Sequence, residues 1–355
     1  MRDRLRRSRA LRASAALCTA FAFATAVAQV AAQTSLATYA GADRMQRLVE
    51  GAKREGEVVI YTSAPADDMK ALTDAFERTY GIRTKVWRAS SEKVLQRTLA
   101  EARNGRFDVD VVETNGPEME ALAREKVLQP VRSPSHADLV PQAVFAHGAW
   151  VGSRLNVFVV AYNTNLVRRD ELPKDWRGLR DPRWKGRLGI EASDIDWFAT
   201  VVSTLGDEQE GIALFRDIVK TNGISVRRGH TLLAQLVAAG EVPLALTVYN
   251  NKAEQLKQQG APIDWFVLDP AVARANGVGV VTRPRNAHAA LLFYEFEIGE
   301  EGQRLLATRD FVPASRRIET MLNRIPFRFV DVRAALDDYA KWEKLYDATF
   351  LRQAR

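Results

Sequence analysis

Cysteine is nearly missing from this chain: Cys18 is the only one in 355 residues, and it lies in the opening segment. Without that residue, disulfides, thiolate metal sites and cysteine nucleophiles are excluded together. Histidine is almost as scarce, and His136, His147, His230 and His288 stand far apart with no ligand spacing among them, so a multi-histidine metal centre is not expected. Only His230, within VRRGHT, has neighbours that suggest a role. The chain has no GxSxG elbow, HExxH, P-loop or calcium loop, and GVGVV at 277–281 lacks the third glycine of a dinucleotide fingerprint. Neither a catalytic residue nor a cofactor is expected.

What the chain does have begins at its start. The first residues, MRDRLRRSRALR, carry six Arg and one Asp, and the next stretch, ASAALCTAFAFATAVAQVAA, carries no charge. A basic stretch before a short, Ala-rich apolar run reads as a secretory signal peptide over residues 1–32; a spanning helix needs about 20 apolar residues, and this run is rich in Ala and Thr. Cleavage after Ala28 or after Ala32 both satisfy the demand for small residues. Arg9 sits where a twin-arginine signal wants an apolar residue, and Leu17 stands where a lipoprotein site wants a small one, so Cys18 leaves with the peptide. The segment removes a net +5 of the total +7. The mature protein is then nearly neutral and is expected in the periplasm, with no reason to invoke nucleic acid or an anionic membrane. About 320 mature residues suit two lobes rather than one core.

Residues 37–55 read as an amphipathic helix and Glu57–Tyr61 as a buried strand. Met69, Leu72, Phe76 and Tyr80 then mark one face of a helix that Gly81 stops. A strand at 82–88, a helix opened by Ser90 or Ser91, and a strand at 108–113 complete a β-α-β-α-β order. Such alternation predicts a parallel sheet covered by helices, with ligand sites outside the carboxyl ends of the strands. Those ends carry Ser63, Ser91, Thr114 and Asn115, each before a helix whose first N–H groups are free; capping alone also accounts for any one of them. A second region opens with a strand at 155–165 and continues with the strand LGIEASD, helices at 211–220 and 232–239, a strand at 242–250, a helix at 252–259, and a helical motif at 289–307 broken near Gly299. The apolar spacing over 330–350 reads as packing against a lobe.

The runs VVIYTSAPADDMKALTDAFERTYGI, DVDVVET, VVAYNTN, LRDPRWKGRLGI, AAGEVPLAL and FEIGEEGQRLLA, in that order and spacing, resemble the ferric-binding-protein-like family of extracellular solute-binding proteins of ABC transporters. The resemblance implies an α/β, type II periplasmic binding fold with a ligand cleft between two lobes. One lobe is expected from 33–143 plus about 268–310, the other from 144–267 plus about 311–355. It also implies permease and ATPase partners and, usually for this fold, a monomer. In the ferric binders a His, a Glu and a Tyr pair grip iron; the matching positions here are Pro65, Asn115, Asn250 and Asn251. Fe(III) wants anionic oxygens, so these residues point instead to a polar organic solute, which amides suit by offering both donors and acceptors.

Asp194 beside Trp197 suits an ammonium group by charge and ring face, although a solvated acidic turn with Trp197 in the core fits the same residues. Arg228, His230 and Thr231 at a helix start favour an anionic group. If both sets face the cleft, the ligand is zwitterionic, an aminophosphonate for example. Tyr162, closing the 155–165 strand, stacks on ligand or packs in the hinge, and Tyr249 stands beside Asn250. Capture for import, ferric iron binding, and presentation of the solute to a receptor all remain open from the sequence.

Overall fold

A computed structural model describes residues 36–352. The proposed signal segment lies outside them. Helix α1 (Arg44–Glu55) precedes β1 (Glu57–Thr62), α2 (Ala66–Tyr80), β2 (Arg83–Arg88), α3 (Ser91–Arg103), β3 (Val111–Asn115) and α4 (Gly116–Arg124). Local chemistry sets these boundaries. Asp67 and Asp68 occupy the positive first turn of α2, Gly81 closes it at φ 74°, and the Ser90 hydroxyl accepts from the Lys93 N–H at the start of α3. Then β4 (Val151–Asn163) runs into β5 (Leu188–Glu191), α5 (Ile195–Val202), α6 (Glu208–Asn222), β6 (Ser225–Arg227), α7 (His230–Ala239), β7 (Leu244–Tyr249), α8 (Asn250–Gln258) and β8 (Ile263–Phe266). The chain returns along β9 (Ala271–Val280) and ends through α9 (Ala287–Ile298), α10 (Glu300–Thr308), β10 (Val312–Pro313), β11 (Phe327–Phe329), α11 (Val332–Asp337) and α12 (Tyr339–Tyr346).

The sheet order is β2-β1-β3-β9-β4-β7-β5-β6. The expected parallel sets are present: β2-β1-β3 in the first lobe and β7-β5-β6 in the second. Between them lie the long antiparallel strands β4 and β9, which join both sets into one continuous sheet. One apolar cluster, with Leu48, Ile60, Phe76, Phe293 and Phe296, fills the first lobe, and another, with Trp176, Trp197, Phe198, Phe215 and Phe350, fills the second.

Register shows where the lobes meet. Asn115, the last residue of β3, faces Asn276 on β9, and Asn276 faces Arg154 on β4. Tyr249, the last residue of β7, faces Phe158, four residues further along β4. The strands of the two lobes point toward each other, so their carboxyl ends converge on the middle of the crossing strands.

The C-terminal tail is shared between lobes rather than confined to the second. Helix α11 packs on α4, where Arg124 pairs with Asp337 at 2.5 Å, while α12 packs on α5. The hydroxyl of Tyr346 donates to the carbonyl of Glu191, which ties the tail to the end of β5.

Candidate functional site

Side chains alternate along a strand, so the face of the crossing strands that looks into the interlobe cleft carries Asn156 and Phe158 from β4 and Arg274 and Asn276 from β9. Arg274 lies at the centre and is 6% exposed. Its Nη1 donates to both carboxylate oxygens of Asp196 at 2.8 and 2.7 Å, and its Nη2 donates to the Tyr249 hydroxyl. The guanidinium also lies 5.1 Å from the Phe158 ring centre and 5.7 Å from that of Tyr249. Aromatic faces and a carboxylate together stabilise a cation that burial would otherwise penalise. Burial holds the Tyr249 phenol well above its usual range, with Arg274 opposing, so Tyr249 remains a protonated phenol.

The second-lobe wall is built from the ends of β5, β6 and β7. The Glu191 carboxylate accepts from the Gly229 N–H at 2.8 Å and from the Ser193 N–H and hydroxyl at 2.5 and 2.9 Å, clamping two loops together. Burial acts to raise the Glu191 carboxyl, but His230 and these donors outweigh it and hold the group below its usual range. Asp194 Oδ1 lies 3.1 Å from His230 Nε2. Burial lowers the imidazole and Asp194 raises it; the carboxylates win, so His230 stays charged above its usual pH. The His230 ring stacks on Tyr249 with centroids 3.6 Å apart. Ligand atoms of Glu191, Asp194 and His230 all lie within 4.8 Å of one another, a grouping able to hold a cation.

The first-lobe wall is a ladder of neutral polar groups. Asn115 Oδ1 accepts from Asn156 and from Asn276, both at 3.2 Å, and Asn115 Nδ2 donates to Ser91 Oγ at 2.8 Å. Thr114 donates to Ser63 Oγ at 2.9 Å. Glu118, half-buried in the first turn of α4, has its carboxyl pushed up to about 7 chiefly by burial, with Arg274 opposing. Several buried polar atoms here have no hydrogen-bond partner: Asn276 Oδ1, Asp194 Oδ2, Arg274 Nε, His230 Nδ1 and Glu118 Oε2. Buried polar atoms are rarely left orphaned in folded proteins. Unmet capacity of this kind beside the crossing strands is what a polar ligand can satisfy.

The site residues expected from sequence divide accordingly. Ser91, Asn115, Asp194, His230 and Tyr249 come together around the crossing strands, with Ser63 and Thr114 at the edge of the first-lobe wall. Asn250 lies 3% exposed at the start of α8 and donates to the Asp310 carbonyl across the cleft. Arg228 and Thr231 are exposed, and the buried guanidinium among these residues is that of Arg274. Trp197 is 1% exposed and packs against Trp176 and Phe215 inside the second lobe, with no face for an ammonium group. Tyr162 pairs with Leu244, the beginning of β7 and not its end, and packs on Phe266 away from the cleft. Phe158, two turns of the pleat earlier, takes the place expected for it. Asn156, Phe158, Asp196, Arg274, Asn276 and Glu118 were not anticipated. The alternation Arg-Ala-Asn at 274–276 was the available signal.

A family model described as bacterial extracellular solute-binding protein matches residues 109–336. The Fe(3+)-binding periplasmic protein of Serratia marcescens is 25% identical over 269 residues, covering 74% of this chain and 79% of that protein. The major ferric iron-binding protein of Neisseria meningitidis serogroup B is 25% identical over 283 residues, covering 76% and 84%. Iron-bound HitA from Pseudomonas aeruginosa superposes with a TM-score of 0.71 at 20% identity, covering 82% of this chain and 99% of that one. The periplasmic binding protein AfuA from Actinobacillus pleuropneumoniae, with exogenous fructose-6-phosphate bound, superposes with a TM-score of 0.73 at 20% identity, covering 84% and 99%. These two likenesses show a shared fold.

Proposed function

The chain belongs to the family of bacterial extracellular solute-binding proteins, and from that premise we propose that it captures a small polar organic solute in the periplasm and delivers it to an ABC importer. It is a binding protein of the type II periplasmic fold and not an enzyme. The observation that carries the choice of solute is the set of buried, unsatisfied polar atoms on Arg274 and Asn276 of β9 and on Glu118, Asp194 and His230. Closing the lobes around a ligand would supply the missing partners, and the closed form would dock on permease subunits driven by an ATPase. The basic and apolar segment 1–32 supports export.

Ferric iron is the second reading, favoured by the names of the relatives at 25% identity. Against it stand Pro65, Asn115, Asn250 and Asn251, none of which offers an anionic oxygen. Native mass spectrometry of the purified protein, with a ferric citrate titration followed by absorbance, separates the two. A retained organic mass and no colour with iron is the expected result. A stable coloured complex with iron alone overturns it.

A further inference from the structure

The charges inside the cleft narrow the solute further, on the reading that the cleft captures one. The two cations are already matched: Arg274 by Asp196 at 2.7 Å, and His230 by Asp194 at 3.1 Å. Glu191 is satisfied by its three donors. Glu118 has no matching cation, since the one positive group among its main electrostatic neighbours is Arg274, and the others, Asp196 and Glu92, are acidic. Its Oε2 is buried without a partner, and so are Oδ2 of Asp194, 1% exposed, and Oδ1 of Asn276, 2% exposed. All three are oxygens that accept hydrogen bonds. The free nitrogens beside them, Arg274 Nε and His230 Nδ1, belong to ion-paired groups, as does Asp194, so Glu118 is the carboxyl here without a cation of its own and Asp194 contributes an unused oxygen.

We propose that the solute is an organic cation, bearing an amine or guanidinium group that Glu118 on the first lobe and Asp194 on the second receive as the cleft closes, with the Asn276 carbonyl as a further acceptor. Burying an ammonium group costs several kcal/mol unless it meets a carboxylate and hydrogen bonds, and the cleft offers both from opposite walls. With Glu118 ionised the same arrangement repels phosphate, citrate and other anions, because Glu118, Glu191, Asp194 and Asp196 then outnumber Arg274 and His230. The tail contributes Tyr339, whose phenol lies within electrostatic reach of Glu118 and adds no charge.

A bound cation would hold Glu118 ionised, so binding releases a proton in the range where the free carboxyl is protonated, below about pH 7. Affinity then rises with pH, by about tenfold from pH 6 to pH 8 for one group titrating near 7; an anion would show the opposite slope.

The experiment is calorimetric titration and thermal shift of the full protein with putrescine, agmatine and ethanolamine, and in parallel with fructose 6-phosphate, citrate and ferric citrate, at pH 6 and pH 8. Organic molecules released on denaturing the natively purified protein are analysed alongside. Support is stabilisation by an amine, or release of a molecule with a basic nitrogen, with binding about tenfold weaker at pH 6 and a Glu118→Gln variant that loses both affinity and pH slope. Stabilisation only by the anions or by iron, or release of a molecule with no basic nitrogen, overturns the cationic class and leaves solute capture standing. If nothing is released and no probe binds, capture itself fails with it. The wild-type panel decides these outcomes even if the variant does not fold.

Discussion

Arg274 lies in the proposed site and also bears on stability. It is held by Asp196, which is 8% exposed, so removing the guanidinium strands a buried carboxylate. Breaking such a pair from one side costs about 3–5 kcal/mol, and Arg274→Ala should lower the urea midpoint accordingly. Arg274→Lys keeps the charge but cannot span Asp196 and Tyr249 with one fork, and should fall between the two in the same measurement. A second buried residue predicts a pH effect. Glu297 is fully buried, and burial, reinforced by Glu113, pushes its carboxyl up to about 8, with Arg154 opposing. The folded state therefore holds a proton that the unfolded chain gives up near 4.5. Stability from this group is complete below that value and is lost as pH rises through about 8. Melting followed from pH 5 to pH 9 should show that decline, and Glu297→Gln should flatten it and exceed wild type at pH 9 by on the order of 2 kcal/mol; an unchanged slope would assign the effect elsewhere. At this scale the sequence was half legible. Ser91, Asn115 and His230 were visible because they follow strands or open helices, whereas Arg274 and Asn276 sit within a strand and depend for their meaning on what the other lobe brings opposite.

Among the elements, α8 does more than pack. Its Lys252 reaches Asp68 at the start of α2 at 2.7 Å, and Asp68 also receives Arg309 at 2.7 Å and Gln255 at 3.3 Å. Asp68 is 2% exposed, so the contact between the lobes is screened little by salt. Lys252→Met should open the ligand-free protein, seen as a larger radius of gyration by small-angle scattering; an unchanged radius would mean that the crossing strands alone hold the lobes together. The tail makes a different connection, and Tyr346→Phe, which removes the bond to the Glu191 carbonyl, should cost about 1 kcal/mol in a thermal melt. Most elements could be read from periodicity: the helix over 289–307 does break at Gly299, and the strand at 242–250 appears as Leu244–Tyr249. Strand β9 could not, because AVARANGVGV sets its three valines among Ala, Gly, Arg and Asn and shows no alternation of large apolar and polar residues. Its identity comes from β3 and β4 pairing with it on either side.

For the molecule as a whole, the continuity of the sheet through β4 and β9 argues that the lobes unfold together. Calorimetry should show one transition, and a bound solute at 100 times its Kd should add about 2.7 kcal/mol; two separated transitions would place the cooperative boundary between the lobes instead. The two-lobed α/β class was legible from the order of strands and helices, but the division of the tail between α4 and α5 was not, since apolar spacing says that a helix packs without saying on what. Arg274 stands on a strand that pairs with strands of both lobes, while Lys252 and Asp68 join helices of opposite lobes. On the proposed function, a change at the strand would alter which solute is chosen and a change at the ion pair how long it is kept, so selectivity and residence time could evolve separately in this protein.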